Sequence, residues 1–270
     1  MARIFRPGAT ALITGAGLGI GRASALACAT QGMSVVMVDC EQTELEAAAE
    51  TVRAWAVAGA GVRTICADIA APGVWAEIRR EAGVPHLLMN NAATRAAGGF
   101  WDDLDEWRRA AEVNLWAVAE AVQVFVPEMI ARGTPAAVVN TGSKQGITNP
   151  PGKPCYNMLK AALKSYTEGL EHELRQTEDR PVTAHLLIPG WTTTGHAAHK
   201  PGAWRPEQVA ERMIAGVEAD DFYILCPDNE VTPEMDHKRI LWAAGDITEN
   251  RPALSRWQGG FGEAFDVFDP

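Results

Sequence analysis

The sequence predicts an α/β fold: a doubly wound parallel sheet of about seven strands with helices on both faces. Three observations carry this. Short apolar segments alternate with longer segments of helical pattern along most of the chain. The apolar segments run without polar interruption, as strands of a parallel sheet buried on both faces do. The first of them, residues 9–14, leads directly into Gly15-Ala-Gly17-Leu-Gly19-Ile-Gly21 and then into an apolar helical stretch, Arg22 to Thr30.

Taken in order, the strands are expected at 9–14, 34–38, 62–67, 86–89, 136–141, 182–188 and 222–226. The helices are expected at 20–31, 41–58, 73–82, 103–131, 155–177 and 206–218. Strand, glycine turn and helix at 9–31 give the context that a dinucleotide-binding loop requires. Glycines permit a tight turn and close approach of a pyrophosphate, and the helix N-terminus offers N–H groups and a favourable dipole. The second strand ends at Asp39, where a carboxylate can accept hydrogen bonds from adenosine ribose hydroxyls. That carboxylate would repel a 2′-phosphate, and no Arg or Lys occurs among residues 40–44. The pattern predicts NAD rather than NADP. In open parallel sheets ligands sit beyond the carboxyl ends of the strands. The glycine loop, Asp39, Asp68, Asn90, Ser143 and Pro189 all fall at such ends, which places them at one site.

Tyr156 and Lys160 lie four residues apart in the segment predicted as helix at 155–177, so the phenol and the ammonium share one face. A free tyrosine titrates near ~10, and a neighbouring cation lowers that value by stabilising the phenolate. Such a pair can exchange a proton with an alcohol oxygen near neutral pH. Asn114 stands in a helix interior, where asparagine is disfavoured.

These motifs resemble those of the short-chain dehydrogenase/reductase family, compact branch. Residues 14–21 resemble its Thr-Gly-x-x-x-Gly-x-Gly loop, which implies that Gly15, Gly17, Leu18, Gly19, Ile20 and Gly21 contact the cofactor. Asp68-Ile69 resembles the step beside the adenine. Asn90-Asn91-Ala92-Ala93 resembles the Asn-Asn-Ala-Gly segment, with Ala93 in place of the usual glycine, so that Asn91 and Ala92 join the cofactor set. Asn114, Ser143, Tyr156 and Lys160 match the family's active-site residues. The resemblance implies that Tyr156 is the general acid/base and that Lys160 also binds the nicotinamide ribose. It implies further that Ser143 polarises the substrate oxygen and that Asn114 anchors a water in a proton relay. Pro189-Gly190 resembles the turn after the sixth strand, and Thr192 or Thr194 the threonine near the nicotinamide amide. It covers residues 8 to about 227 and implies a Rossmann-type domain over 1–227, NAD as cofactor and a homodimer or homotetramer.

Bulk properties bound the rest. A chain of 270 residues with 47 % hydrophobic content suits one large domain with a full core. A net charge of −10 argues against nucleic-acid binding. Five scattered cysteines, without Cys-x-x-Cys, suggest reduced thiols and a cytoplasmic setting. Cys155 reads as a small packing residue. No leader-like opening and no apolar run of transmembrane length are expected, so no membrane partner is. No metal is needed, and His196 and His199 read as lid or surface residues.

Pocket segments are expected at Arg95–Trp101, Lys144–Lys153 and Trp191–Trp204, with Gln145, Asn149 and Trp191 as substrate contacts. Trp and Ile there suggest an apolar or aromatic secondary alcohol or ketone, while Lys144 and Lys153 leave an anionic substrate open. Trp101, Trp107 and Trp116 read as core or interface residues. A ring-diol or polyol dehydrogenase is the alternative activity, and a catalytically silent NAD-binding regulator an alternative of another class. Residues 228–270 form a C-terminal extension with an amphipathic segment at 235–244 and four later aromatics, Trp257, Phe261, Phe265 and Phe268. Those aromatics require burial on the domain or at a subunit interface.

Overall fold

In the computed structural model, which describes residues 4–94, 99–101 and 103–269, seven parallel strands form one sheet in the order β3-β2-β1-β4-β5-β6-β7. The strands are β1 (Thr10–Thr14), β2 (Ser34–Asp39), β3 (Val62–Cys66), β4 (Leu87–Asn90), β5 (Ala136–Thr141), β6 (Val182–Ile188) and β7 (Tyr223–Leu225). The helices between them are α1 (Gly19–Thr30), α2 (Gln42–Trp55), α3 (Val74–Ala82), α4 (Leu104–Ala111), α5 (Ala117–Arg132), α6 (Gln145–Thr148), α7 (Pro154–Leu174) and α8 (Pro206–Glu218). Each expected strand is present, displaced by no more than two residues at an end.

Strand periodicity divides the core into two layers. Ala11 and Ile13 of β1, with Val35 and Met37 of β2, pack under α1, α2 and α8. Leu12, Val36 and Val38 point the other way and pack under α3 and α5 with Trp75, Phe125 and Met129. Burial on both faces explains why these strands carry no polar alternation. Trp75 and Phe125 meet edge to face, with centroids 6.1 Å apart. Strand order reverses between β1 and β4, so the connections leave those two strands in opposite directions and open a crevice at their carboxyl ends.

Two expectations are corrected along the helix predicted at 103–131. It is not uniformly α-helical: residues Glu112–Trp116 form a π turn between α4 and α5, centred on Asn114. The combined helix Leu104–Arg132 is also long and apolar enough, by length and composition, to cross a membrane, which the sequence was not expected to provide. Half of its apolar window is buried inside the fold, and its apolar residues face the sheet, as a core helix requires. Trp101 is 97 % exposed and Trp116 is exposed too, so neither is a core residue. Trp107 does pack inward, beside Ala110, Cys155 and Leu159, and Cys155 is buried as a packing residue. Of the first expected pocket segment, Arg95–Gly98 lie outside the described residues.

Beyond β7 the chain forms α9 (Pro233–Thr248), a 3-10 turn (Ser255–Trp257) and α10 (Gly262–Val267). Thr232 caps α9 by accepting from the Met235 N–H at 3.3 Å. The extension builds its own small core on Trp242. Phe265 and Phe268 each meet its ring edge to face at 5.4 Å, and the Arg251 guanidinium covers it at 4.0 Å. The indole N–H donates to Ser255 Oγ at 2.9 Å, and the Ser255 N–H donates to Asp246 at 3.0 Å. Trp257 keeps 39 % of its surface exposed. Trp242→Ala should cost about 3–5 kcal/mol of the extension's stability. Urea unfolding should show the loss, with faster amide exchange over 249–269 than over the sheet.

Candidate active site

The glycine loop between β1 and α1 fits only without side chains. A Cβ on Gly21 would collide with the Gly15 carbonyl oxygen. Gly15 has φ +63°, and a Cβ there would sit 2.8 Å from Ala92 Cα. Leu18 at the N-cap offers no side-chain hydrogen bond, and the first turn of α1 holds no acidic residue. The first-turn N–H groups are therefore left for an external acceptor, with the dipole favouring an anion. This cradle fits the pyrophosphate of a dinucleotide.

Asp39 closes the loop on one side. Its carboxylate accepts the Gly17 N–H at 2.9 Å and the Glu41 N–H at 3.2 Å, and each oxygen keeps a lone pair for a further donor. On the other side, the Thr14 hydroxyl accepts the N–H groups of Asn91 at 3.0 Å and Ala92 at 3.1 Å. The Asn91 amide donates back to the carbonyls of Thr14 and Gly15 at 3.0 and 3.2 Å. Asp68 accepts the Ala70 N–H and pairs with Arg109 at 2.6 Å. The Ile69 side chain is buried with the core at 7 % exposure.

Lys160 and Tyr156 share one face of α7, with the ammonium 5.7 Å from the phenol centroid. Lys160 is only 3 % exposed, and burial lowers its pKa to about 8. Among the described residues its hydrogen-bond acceptor is the Thr141 carbonyl at 2.7 Å; an ammonium has three N–H groups. Ser143 Oγ accepts the Gln145 N–H at 3.2 Å, which leaves its own hydroxyl proton for another acceptor. The short helix α6 holds Ser143 near α7 by backbone contact: a Cβ on Gly146 would lie 2.5 Å from Lys160 C. The Asn114 amide donates to Thr94 O and Ala110 O, both at 2.8 Å, while its buried Oδ1 has no partner among the described residues. A π turn aims this side chain off the regular helical ladder.

The segment after β6 lies across the crevice. Pro189 is buried and Gly190 turns the chain. Thr192 bridges to Trp204 and donates to the Gly190 carbonyl at 3.2 Å. Thr194 packs over Gly19 at the start of α1. His196 reaches Glu44 of α2 at 3.2 Å, and His199 contacts the Thr193 hydroxyl at 3.0 Å. Trp191 is half exposed under the Lys200 ammonium. Gln145 keeps a buried, unpartnered Oε1, and Asn149 ends α6 at φ +47°, a left-handed turn that asparagine tolerates. Lys144 is corrected: its ammonium is taken by Asp228 and Asp236, so it is not available to an anionic substrate. Sequence reasoning missed Gly146 and the organising parts of Thr14 and Thr141. Only Thr14 carried a signal, as the first residue of the glycine motif.

Lys160 also sets a pH dependence. Its pKa falls from the usual 10.5 to about 8 on folding, so between these values the unfolded chain binds the extra proton and stability rises with pH. Below about 8 both states are charged and the burial cost is complete. The stability of the ligand-free protein relative to a Lys160→Met variant should therefore climb from pH 8 to 10.5. Chemical denaturation of both proteins across that range measures it, and parallel curves would contradict it.

Known proteins agree with this geometry. The short chain dehydrogenase family matches over residues 9–203. The chain is 30 % identical over 263 residues to 1-deoxy-11-beta-hydroxypentalenate dehydrogenase of Streptomyces exfoliatus, covering 92 % of this chain and 93 % of the relative. A crystal structure of a short-chain dehydrogenase/reductase from Burkholderia phymatum in complex with NAD superposes with a TM-score of 0.79. It is 30 % identical and covers 91 % of this chain and 96 % of its own. A short-chain dehydrogenase from Sphingobium yanoikuyae in complex with NADPH superposes with a TM-score of 0.71 at 26 % identity, covering 80 % and 86 %. Cofactor-loop geometry, strand order and these matches agree: the chain belongs to the short-chain dehydrogenase family of oxidoreductases.

Proposed function

We propose that this oxidoreductase uses NAD to interconvert a secondary alcohol and its ketone, with an apolar or aromatic substrate. The observation that carries the reading is the buried Lys160 ammonium beside the Tyr156 ring, in a fold whose glycine cradle is closed by Asp39. The cradle of Gly15 to Gly21 takes the pyrophosphate. Asp39 takes the adenosine ribose, and Asp68 faces the adenine end. Asn91, Ala92, Pro189, Gly190, Thr192 and Thr194 surround the nicotinamide half. When bound, the nicotinamide supplies or accepts the hydride at the carbinol carbon.

The chain's own residues handle the oxygen. Tyr156 holds and moves the proton at the carbinol oxygen. Ser143 donates its free hydroxyl proton to the same oxygen, where negative charge develops. Lys160 sits behind the phenol as a fixed cation and offers its remaining N–H groups to the nicotinamide ribose. Asn114 presents its unpartnered Oδ1 toward a water that passes protons to Lys160. Trp191, Gln145 and Asn149 border the substrate. The NAD complex of the Burkholderia phymatum relative supports the cofactor assignment, whereas the Sphingobium yanoikuyae relative is complexed with NADPH. Asp39 supports NAD for this chain. Its carboxylate lies where a 2′-phosphate would meet like charge.

Catalytic efficiency with NAD should exceed that with NADP by about ten-fold or more, since ~1.4 kcal/mol of repulsion suffices. Asp39→Ala combined with Cys40→Arg should narrow that ratio. A panel of alcohols and ketones followed at the nicotinamide absorbance reads both, and equal efficiencies in the unaltered enzyme would refute the assignment.

Tyr156→Phe should lower turnover by roughly 10²–10⁴-fold. NADH affinity, measured by fluorescence titration, should stay unchanged because only the transferable proton is removed. Near-normal turnover in this variant would exclude the proposed proton path.

A further inference from the structure

Lys144 follows Ser143 directly, yet its ammonium lies 2.6 Å from Asp236 Oδ2 and 3.3 Å from Asp228 Oδ2. Asp228 stands three residues after β7 and Asp236 in the first turn of α9, so both belong to the C-terminal extension. The two carboxylates are 4–5 % exposed and the lysine side chain 16 %. Asp228 Oδ2 also accepts the Trp191 N–H at 3.1 Å, and Oδ1 accepts the N–H groups of Glu230 at 3.1 Å and Val231 at 2.8 Å. Gly190 is pressed against the same group. A Cβ there would lie 2.6 Å from Asp228 Oδ2 and 2.9 Å from Lys144 Nζ. Three chain segments therefore converge on one buried charge cluster: the loop carrying Ser143, the turn carrying Trp191, and the extension.

Asp228 is satisfied within the protein, whereas the buried Asp236 Oδ2 holds the Lys144 ion pair with no hydrogen bond among the described residues. Burial pushes the Asp228 carboxyl up, but the Trp191 N–H, Lys144 and the N–H groups of Glu230 and Val231 hold it below its usual range. Burial raises Asp236 despite Lys144 and the more distant Arg239. Ordinary surface anchoring would not require this. Buried ion pairs seldom exceed a well-packed apolar contact in net stability. What they do add is a fixed geometry, because each charge has only one place where it is satisfied.

We infer that Lys144, Asp228 and Asp236 are positioning residues through which the C-terminal extension sets the placement of Ser143 and Trp191, the two walls of the substrate pocket. This rests on the site reading given above. It makes residues 228–248 part of the determinants of substrate selection, although none of them belongs to the cofactor crevice. The extension's core on Trp242 holds α9, α9 holds Asp236, and Asp236 holds Lys144 beside Ser143.

Three variants of the full chain test this: Asp236→Asn, Asp236→Glu, and the doubly neutral Lys144→Met with Asp236→Leu. The measurements are thermal unfolding, NADH affinity, amide exchange over 191–204, and kcat and KM for the best substrate of the panel. Asp236→Asn should keep NADH affinity within about two-fold while kcat/KM falls ten-fold or more, since displacement by about an ångström costs up to ~10²-fold. Exchange at Trp191 and Trp204 should accelerate by about ten-fold, as expected for local loosening. Asp236→Glu should recover part of both. The double variant removes Lys144 together with Asp236 and leaves Asp228 on its three backbone N–H donors, so it should keep the kinetic and exchange defects even where its thermal stability matches wild type. Should that variant regain wild-type exchange and kcat/KM together with its stability, the cluster is structural only and the inference fails. It also fails if folded Asp236→Asn shows wild-type exchange and kinetics. If the unaltered enzyme turned over no alcohol or ketone, the functional reading would be at fault. The exchange data would then still decide whether the cluster positions these loops.

Discussion

The contact on which the site depends is the clamp between the carboxyl ends of β1 and β4. Four hydrogen bonds join Thr14 and Gly15 to Asn91 and Ala92 across the point where the chain connections diverge. At that crevice the strands end and no ladder partner remains for the following peptide groups, so the backbone must be satisfied by side chains. The clamp does this while holding Gly15 against Ala92. Only glycine tolerates the approach, and the approach aims the N-terminus of α1 at the crevice. Loop, helix dipole and the carboxylate of Asp39 are consequences of one packing constraint.

A second constraint is the cost of burying charge. Lys160 lies inside with a single carbonyl as its hydrogen-bond partner among the described residues, and its lowered pKa expresses that cost. Strain of this kind is characteristic of a group placed for chemistry rather than stability. Lys144 is buried nearby, and the protein treats it differently. Two carboxylates pair with its ammonium, and backbone N–H groups hold one of them in place. Two lysines on neighbouring elements thus have opposite characters, one poised for an external partner and one committed to internal geometry.

The extension ties these features to the periphery. Aromatic rings around Trp242 give it a core of its own, while Asp236 connects that core to the loop bearing Ser143. Residues far from the cofactor crevice in sequence therefore act on the substrate side of the site through one charge cluster.

The strand positions, the glycine loop, Asp39 and the spacing of Tyr156 and Lys160 were legible in the sequence, because each depends on local periodicity or on a short motif. Uninterrupted apolar strands imply burial on both faces wherever they occur, and i,i+4 spacing on a helix fixes a shared face. The π turn at Asn114 was not legible, since the insertion that makes it depends on how α4 and α5 pack rather than on residue type. Neither was the need for Gly146, which arises from the backbone of Lys160 on another helix. The commitment of Lys144 likewise required knowing that residues 84 and 92 positions further along return to meet it. Local pattern determines which elements form and which face each presents. Contacts between distant segments, where charge is buried or backbones touch, are decided only when the tertiary structure brings those segments together.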